Sequence, residues 1–393
     1  MRARLFVIGC TGSVGSSVLS VCRAYPDRFE VRAVAARSSA EKIEQIADEF
    51  KSSAVVLTDA SAATNLADRA GDRFSVLSGI SAMEETAARS DIDHVVVASS
   101  GTDAVHPLLT ALREGKDVSL ANKESIVAAG RWIIPHVRRE GQLRPLDSEH
   151  NAVWQCLQGR DPSTVRKIYL TASGGPFRTL SPEELQNVTP GMAVAHPVWN
   201  MGAKISVDSA TLMNKGIEIL EAMSLFRLSP ERIDAVVCPE PFIHGIVEFT
   251  DGTFLMAASA PDMKLPCASA LFYPERSPEP IFPSPVLEGK TLVFEKPDEE
   301  RFPALRIAKE AARMGGAAPA LLVGADEAAV DSFLSGQIGF NDIPRIVETV
   351  IEQYRGPGPG SLDDALSILA EGKRAAAEMC RNTNKTLNLR RKI

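Results

Sequence analysis

Three features predict an α/β protein. Apolar strand-like runs alternate with helical stripes over the first 146 residues, a glycine-rich turn joins the first strand to the first helix, and the pattern is wholly helical after residue 299. The expected architecture is an N-terminal doubly wound parallel sheet, a central α+β domain and a C-terminal helical domain. At 393 residues the chain is too long for one compact core. The expected divisions are 1–146, 147–273 with a lid loop at 195–203, a proline-rich linker at 274–298, and 299–393.

Leu5–Ile8 is a buried strand that runs into Gly9-Cys-Thr-Gly12-Ser-Val-Gly15, after which Val14, Val18, Val21 and Tyr25 recur at helical spacing. A strand, glycine turn and helix in that order are the context of a dinucleotide-binding loop of Rossmann type, because glycine admits the pyrophosphate to the backbone and the helix start offers free N–H groups. The spacing G-x-x-G-x-x-G also suits a plain tight turn. Val31–Ala35 is the second strand, and Ala36-Arg37-Ser38 follow where an NAD enzyme carries a carboxylate. Arginine and serines there favour the 2′-phosphate of NADP. Ser38 and Glu41 equally fit a capping box that opens a helix to Phe50.

Further strands are expected at Ala54–Leu57, His94–Ala98, Val118–Leu120 and Leu143–Leu146, with a helix from Asp103 to Glu114. Polar clusters follow two of them: Asn122-Lys123-Glu124-Ser125 and Asp147-Ser148-Glu149. Ile168–Ala172 leads into Ser173-Gly174-Gly175-Pro176, a turn suited to an anion, and Val236–Cys238, Ile246–Phe249 and Thr253–Ala258 are strands, the last two paired across Asp251-Gly252. Prolines at 274, 278, 280, 283, 285 and 297 mark the linker. Helices are expected at Leu305–Met314, Ala325–Ser335, Ile343–Ile351 and Ser361–Met379, with an exposed tail at Asn384–Lys392.

The stretch Lys204–Glu218 carries Ser209, Asn214, Lys215 and Glu218 among apolar residues at 205, 207, 212, 213, 217, 219 and 220. It reads either as a capped helix with a polar face or as a site holding a phosphate and a metal together. Asp147 and Glu149, two apart on an extended strand end, point the same way and with Glu218 supply three carboxylates. An all-oxygen set suits Mg²⁺ or Mn²⁺, and solvated surface acids are the alternative. Trp199 and Met201, between Pro197 and Gly202, suit a lid that expels water from a charged site, or simple packing.

A net charge of −7 without a basic block excludes non-specific nucleic-acid binding. No run approaches the roughly 20 apolar residues of a membrane span, and the apolar run after Arg4 stops at Gly9, too short for a signal peptide. Six scattered cysteines without a CxxC pair fit the reducing cytoplasm.

The run His196-Pro-Val-Trp-Asn-Met-Gly-Ala-Lys-Ile-Ser-Val-Asp-Ser-Ala-Thr-Leu-Met-Asn-Lys-Gly-Ile-Glu218 closely resembles the signature of the 1-deoxy-D-xylulose 5-phosphate reductoisomerase family. Gly9–Gly15, Leu120-Ala-Asn-Lys-Glu-Ser125, Asp147-Ser-Glu-His-Asn151 and Thr171-Ala-Ser-Gly-Gly-Pro-Phe177 match the same family in the same order. The resemblance implies an enzyme of the non-mevalonate isoprenoid pathway. Such an enzyme rearranges its phosphorylated ketose to a branched aldehyde and reduces that with NADPH to 2-C-methyl-D-erythritol 4-phosphate. It also implies a divalent metal (Mg²⁺ or Mn²⁺, with Co²⁺ admissible), a small phosphorylated sugar as substrate and a homodimer.

By position, the resemblance makes Asp147, Glu149 and Glu218 metal ligands, and brings Lys123, Ser148 and Glu149 to the substrate's hydroxyl and carbonyl end. Ser173, Ser209, Asn214 and Lys215 hold the phosphate, with His196 also reaching the substrate. Thr11, Gly12, Ser13, Val14, Ala36, Arg37, Ser38, Asn122, Glu124 and Gly202 line the NADPH site, and Trp199 and Met201 belong to the lid. The chain departs from the family pattern at Ala36–Ser38, at Ala258–Ala260 and at Gly324-Ala-Asp-Glu327, which replaces an asparagine-rich segment. The last two are expected to lie away from the ligands. Two other readings remain: a metal-independent NADP-dependent dehydrogenase of a phosphorylated sugar or aldehyde, and a non-catalytic NADP-binding sensor.

Overall fold

The computed structural model describes residues 2–195 and 202–390, with side chains described as far as Asn384. His196, Trp199 and Met201, and with them the expected lid, lie outside the described residues. The chain divides into two compact units, each built from several stretches of sequence.

The first unit comprises residues 1–125, 133–155 and 262–286. Its sheet contains β1 (Ala3–Ile8), β2 (Phe29–Ala36), β3 (Ala54–Leu57), β4 (Ser75–Ser78), β5 (His94–Val97), β6 (Asp117–Leu120) and β7 (Leu143–Pro145). All are parallel, in the order β4-β3-β2-β1-β5-β6-β7. The chain winds outward from β1 to β4, returns to β5 beside β1, and winds the other way, so the topological switch falls between β1 and β5. Ligands bind at that crevice in doubly wound sheets. The central strands β3 and β5 are buried at every position, as a sheet covered on both faces requires. β4 carries no comparable signal: it is a polar edge strand, exposed at both ends, and periodicity does not reveal it.

The stretch 262–286 supplies the Lys264–Phe272 helix, which packs on the Ser13–Ala24 helix. Phe272 sets its ring edge-on to Tyr25 and Phe29 at centroid distances of 4.9 and 5.0 Å. This return of the chain closes the core over the first helix.

The second unit comprises residues 126–132, 156–261 and 287–393. Its sheet has the order β11-β10-β8-β9, from β8 (Val165–Ala172), β9 (Ile233–Val237), β10 (Ile243–Phe249) and β11 (Phe254–Ala258). The hairpin expected across Asp251-Gly252 forms, with Gly252 at φ +85°. The β9 edge is closed by an antiparallel bridge between Val237 and Glu295. Four long helices follow the sheet: Ala304–Met314, Ala318–Leu334, Asp342–Gln353 and Leu362–Arg390. The last helix continues to Arg390, so the backbone of the expected tail is helical over 384–390, and residues 391–393 lie outside the described residues. The Ala318–Leu334 helix is buried on most of its faces, and its Gly324 lies against the Leu362–Arg390 helix so closely that a Cβ there would stand 2.0 Å from the Leu369 carbonyl oxygen.

Candidate active site

In the first unit the glycine loop leaves β1 at the topological switch. Gly9, at φ +80°, and Gly15 are required by close approach: a Cβ on Gly15 would stand 2.2 Å from the Gly9 carbonyl oxygen. Gly12 is exposed and forms the N-cap of the Ser13–Ala24 helix, with no side-chain cap and no acid in the first turn. Its free N–H groups and positive dipole end suit a phosphate. Thr11 and Val14 are half-buried beside it, and Ser13 is exposed. Burial pushes the Cys10 thiol up to about 12, so the loop's cysteine is an inert core residue.

At the end of β2, Ala36 is buried and Arg37 and Ser38 are exposed. The expected Ser38–Glu41 capping box does not form. The helix Ala40–Phe50 starts one residue later, on Ser39, without a side-chain cap bond. Lys42, on this helix, donates to the Thr11 carbonyl at 2.5 Å and so brings a cation to the glycine loop. Its signal in the sequence is only a lysine one turn after Ser38.

After β6, buried Asn122 donates to the Ser99 and Gly101 carbonyls at 2.7 and 2.6 Å and accepts from the Ser125 N–H at 2.8 Å. It thereby braces the loop after β5 and caps the helix that carries Glu124. Lys123 meets Asp147 at 2.8 Å, each about nine-tenths buried. Asp147 and Glu149 are not on an extended strand: β7 ends at Pro145 and a helix spans Ser148–Leu157. Asp147 caps that helix, accepting from the Glu149 and His150 N–H groups at 3.2 and 3.4 Å, while buried His150 sets Nδ1 3.2 Å from it. Ser148 lies 2.5 Å from Glu149 Oε2. A capped helix start fixes these carboxylates more tightly than a strand end does.

In the second unit the Ser173-Gly174-Gly175 turn seats Gly175, at φ +72°, against the backbone of Ser209, and the Gly175 N–H donates to Ser173 Oγ at 3.2 Å. Ser173 and Ser209 are therefore neighbours. The Lys204–Glu218 stretch is not the single capped helix of the first reading. It is two helices, Ala203–Thr211 and Met213–Phe226, joined by buried Leu212 at φ +63°. A leucine in that conformation costs roughly 1–2 kcal/mol, and it turns the Asn214–Glu218 turn away from the axis of the Ser209 helix. Asn214 donates to Glu218 at 2.5 Å and Lys215 to its other oxygen, with Lys215 and Glu218 both buried. Two residues expected to hold the phosphate and one expected to bind the metal thus form one hydrogen-bonded set. Gly202 is exposed at the N-cap of the Ala203–Thr211 helix.

The segment Gly324–Glu327 does not lie away from this set, contrary to expectation. Asp326 reaches Lys204 at 2.8 Å, and Lys204 also meets Asp208, beside Ser209, at 2.6 Å.

A dinucleotide loop at the switch of a parallel sheet, with oxygen-only carboxylates and clustered anion donors elsewhere, defines a nucleotide-dependent oxidoreductase of a phosphorylated substrate. Residues 5–130 match the family model of 1-deoxy-D-xylulose 5-phosphate reductoisomerase, and residues 143–226 and 258–375 match models of its C-terminal domains. The reductoisomerase of Cupriavidus metallidurans is 44% identical over 93% of this chain and 95% of its own length, and that of Aromatoleum aromaticum 45% identical over 95% of each. The solved structure of the Zymomonas mobilis reductoisomerase in complex with NADPH superposes with a TM-score of 0.90 at 39% identity, covering 97% of this chain and 99% of that one. A reductoisomerase structure in complex with NADPH, fosmidomycin and magnesium gives 0.87 at 34% identity over 98% and 99%. This chain belongs to the 1-deoxy-D-xylulose 5-phosphate reductoisomerase family.

Proposed function

We propose that the residues gathered above carry the family's reaction in this chain. The chain is an NADPH- and divalent-metal-dependent enzyme of isoprenoid biosynthesis that converts 1-deoxy-D-xylulose 5-phosphate to 2-C-methyl-D-erythritol 4-phosphate, a rearrangement followed by a reduction. Family membership over nearly the whole chain carries this reading and disfavours the metal-independent dehydrogenase.

Asp147, Glu149 and Glu218 are the metal ligands in this reading. Their donor set is oxygen only, which fits magnesium or manganese and admits cobalt. When bound, the cation polarises the substrate carbonyl and NADPH supplies the hydride. The protein's part is placement. Asp147, capped onto its helix, holds Lys123 and His150, and Lys123 and Ser148 face the reacting end of the substrate with Glu149. Ser173, Ser209, Asn214 and Lys215 hold the phosphate, with His196, and this remote binding energy orients the reacting carbons. Thr11, Gly12, Ser13 and Val14 cradle the pyrophosphate, Ala36, Arg37 and Ser38 take the 2′-phosphate end, and Asn122, Glu124 and Gly202 complete the NADPH site. Trp199 and Met201 form the lid. Residues 1–146 act as the nucleotide-binding domain and 147–273 as the metal- and substrate-binding one, joined by 274–298 to the helical domain 299–393.

The test is NADPH consumption with the deoxyxylulose phosphate. EDTA should abolish it and added Mg²⁺ or Mn²⁺ should restore it; undiminished turnover in EDTA would return the metal-independent dehydrogenase to first place.

The homodimer expected of the family has a candidate edge. β11 leaves Phe254 50% and Met256 45% exposed on the open side of the second unit's sheet, where a second copy can add its own strand. Phe254→Asp should halve the mass measured by light scattering, and an unchanged mass would place the interface elsewhere. Six free, buried cysteines support a cytoplasmic setting. Among the described residues no helix is long and apolar enough to cross a membrane.

A further inference from the structure

Lys204, Asp208 and Asp326 form a charged group outside the residues assigned to metal, substrate and NADPH. Asp326 is fully buried and Asp208 is 3% exposed, and each accepts from the Lys204 ammonium through one oxygen, at 2.8 and 2.6 Å. The second oxygen of each carboxylate is buried without a hydrogen-bond partner. The group ties two helices together. Lys204 and Asp208 lie one turn apart on Ala203–Thr211, and Asp326 comes from Ala318–Leu334, which the close approach at Gly324 seats against the last helix.

Two buried carboxylates beside one ammonium leave an uncompensated charge, which a low-dielectric site resists by keeping a proton. Burial first, and then the charge of Asp326, hold the Asp208 carboxyl well above the usual carboxylate range, with Lys204 opposing. Among the described residues, no other charged group of the packed elements is paired with either aspartate. The Pro190–Val194 helix against this one carries none, Met213–Phe226 brings Lys215 paired to Glu218 together with buried Glu221, and Glu327, beside Asp326, is paired to Lys373 of the last helix. The folded state therefore holds a proton on Asp208 at pH values where the unfolded chain has released it.

We propose that Asp326 is a positioning residue of the reaction. By sharing Lys204 with Asp208 it clamps the first turns of the Ala203–Thr211 helix, and so sets Ser209, the next residue after Asp208, against the Ser173-Gly-Gly turn for the substrate phosphate. The inference rests on the reading of Ser209 as a phosphate contact. It places the chain's departure from the family at Gly324–Glu327 in a functional position rather than in inert packing.

The sign of the pH effect follows from linkage. A carboxyl raised in the folded state contributes stability that is complete below its ordinary value of 3.8 and is lost as pH rises through the raised value. Asp326→Asn keeps the shape and a hydrogen-bonding oxygen but removes the second charge, leaving Asp208 a simple partner of Lys204.

The experiment compares Asp326→Asn and Asp326→Ala in the full chain, measuring KM for the phosphorylated substrate, kcat, NADPH affinity by fluorescence, and the thermal midpoint from pH 4 to 9. Asp326→Ala should raise the substrate KM about tenfold through misplacement of Ser209, with NADPH affinity unchanged. Asp326→Asn should keep the substrate KM near wild type and flatten the fall of the thermal midpoint toward high pH. An unaltered KM in Asp326→Ala, or substrate and NADPH affinities falling together, would overturn the positioning role. Should Asp326→Ala not fold, the pH series of Asp326→Asn decides: a slope equal to wild type means Asp326 does not act on the Asp208 carboxyl, and the proposal fails. Ser209→Ala is the separate check on the phosphate reading. A wild-type KM there rejects that reading, while the pH series still reports on the aspartate pair.

Discussion

Glu218→Gln should lower kcat by about a thousandfold or more while NADPH still binds with wild-type affinity. As a metal ligand the carboxylate offsets cation charge that an amide cannot, and a loss of about 4 kcal/mol of transition-state stabilisation corresponds to that factor. NADPH affinity is spared because Glu218 is not among the residues assigned to the NADPH site. The same substitution leaves the buried Lys215 ammonium without its carboxylate, and breaking a buried pair in this way costs about 3–5 kcal/mol. The variant should therefore melt earlier as well, and a metal titration followed by NADPH consumption should no longer saturate. Wild-type turnover in a folded Glu218→Gln protein would remove Glu218 from the metal site and leave it a structural partner of Asn214 and Lys215.

Gly324→Ala should destabilise the second unit by about 3 kcal/mol, the upper range for overpacking a tight core. The added methyl would stand 2.0 Å from the Leu369 carbonyl oxygen and 2.9 Å from the Lys373 N–H nitrogen, backbone atoms of the neighbouring helix that no rotamer change can clear. The two helices must separate, and burial along most of the Ala318–Leu334 helix is lost with them. Thermal unfolding checks this directly, and a midpoint within a degree of wild type would show that the helices part at little cost. Because Asp326 lies two residues on, a rise in substrate KM should accompany the loss of stability.

Much of this protein is legible in its residues, and the failures have identifiable causes. β1 and the glycine loop follow from local chemistry, since Leu5–Ile8 must be buried and Gly9 and Gly15 admit no side chain. The hairpin at Asp251-Gly252 is equally local. β4 is missed because an edge strand with serine at both ends has no buried face to impose a pattern. The Ser38 box fails because Ser39 starts the helix, a shift of one residue that the local sequence does not decide. The break at Leu212 is invisible because leucine is a poor choice for a left-handed position, and only its burial makes the strain tolerable.

The sequence by itself determines the family, the dinucleotide loop, the oxygen-only donor set and the residues expected to meet the phosphate, because each is a matter of residue type at fixed spacing. The tertiary structure alone decides that Asp147 and Glu149 stand at a helix start, that Asn214 and Lys215 hold Glu218, and that Asp326 joins Lys204 and Asp208 from 122 and 118 residues away. Spacing along a chain fixes which groups share one turn of helix. Which groups face one another across helices depends on packing, and packing is settled only when distant apolar faces are buried together.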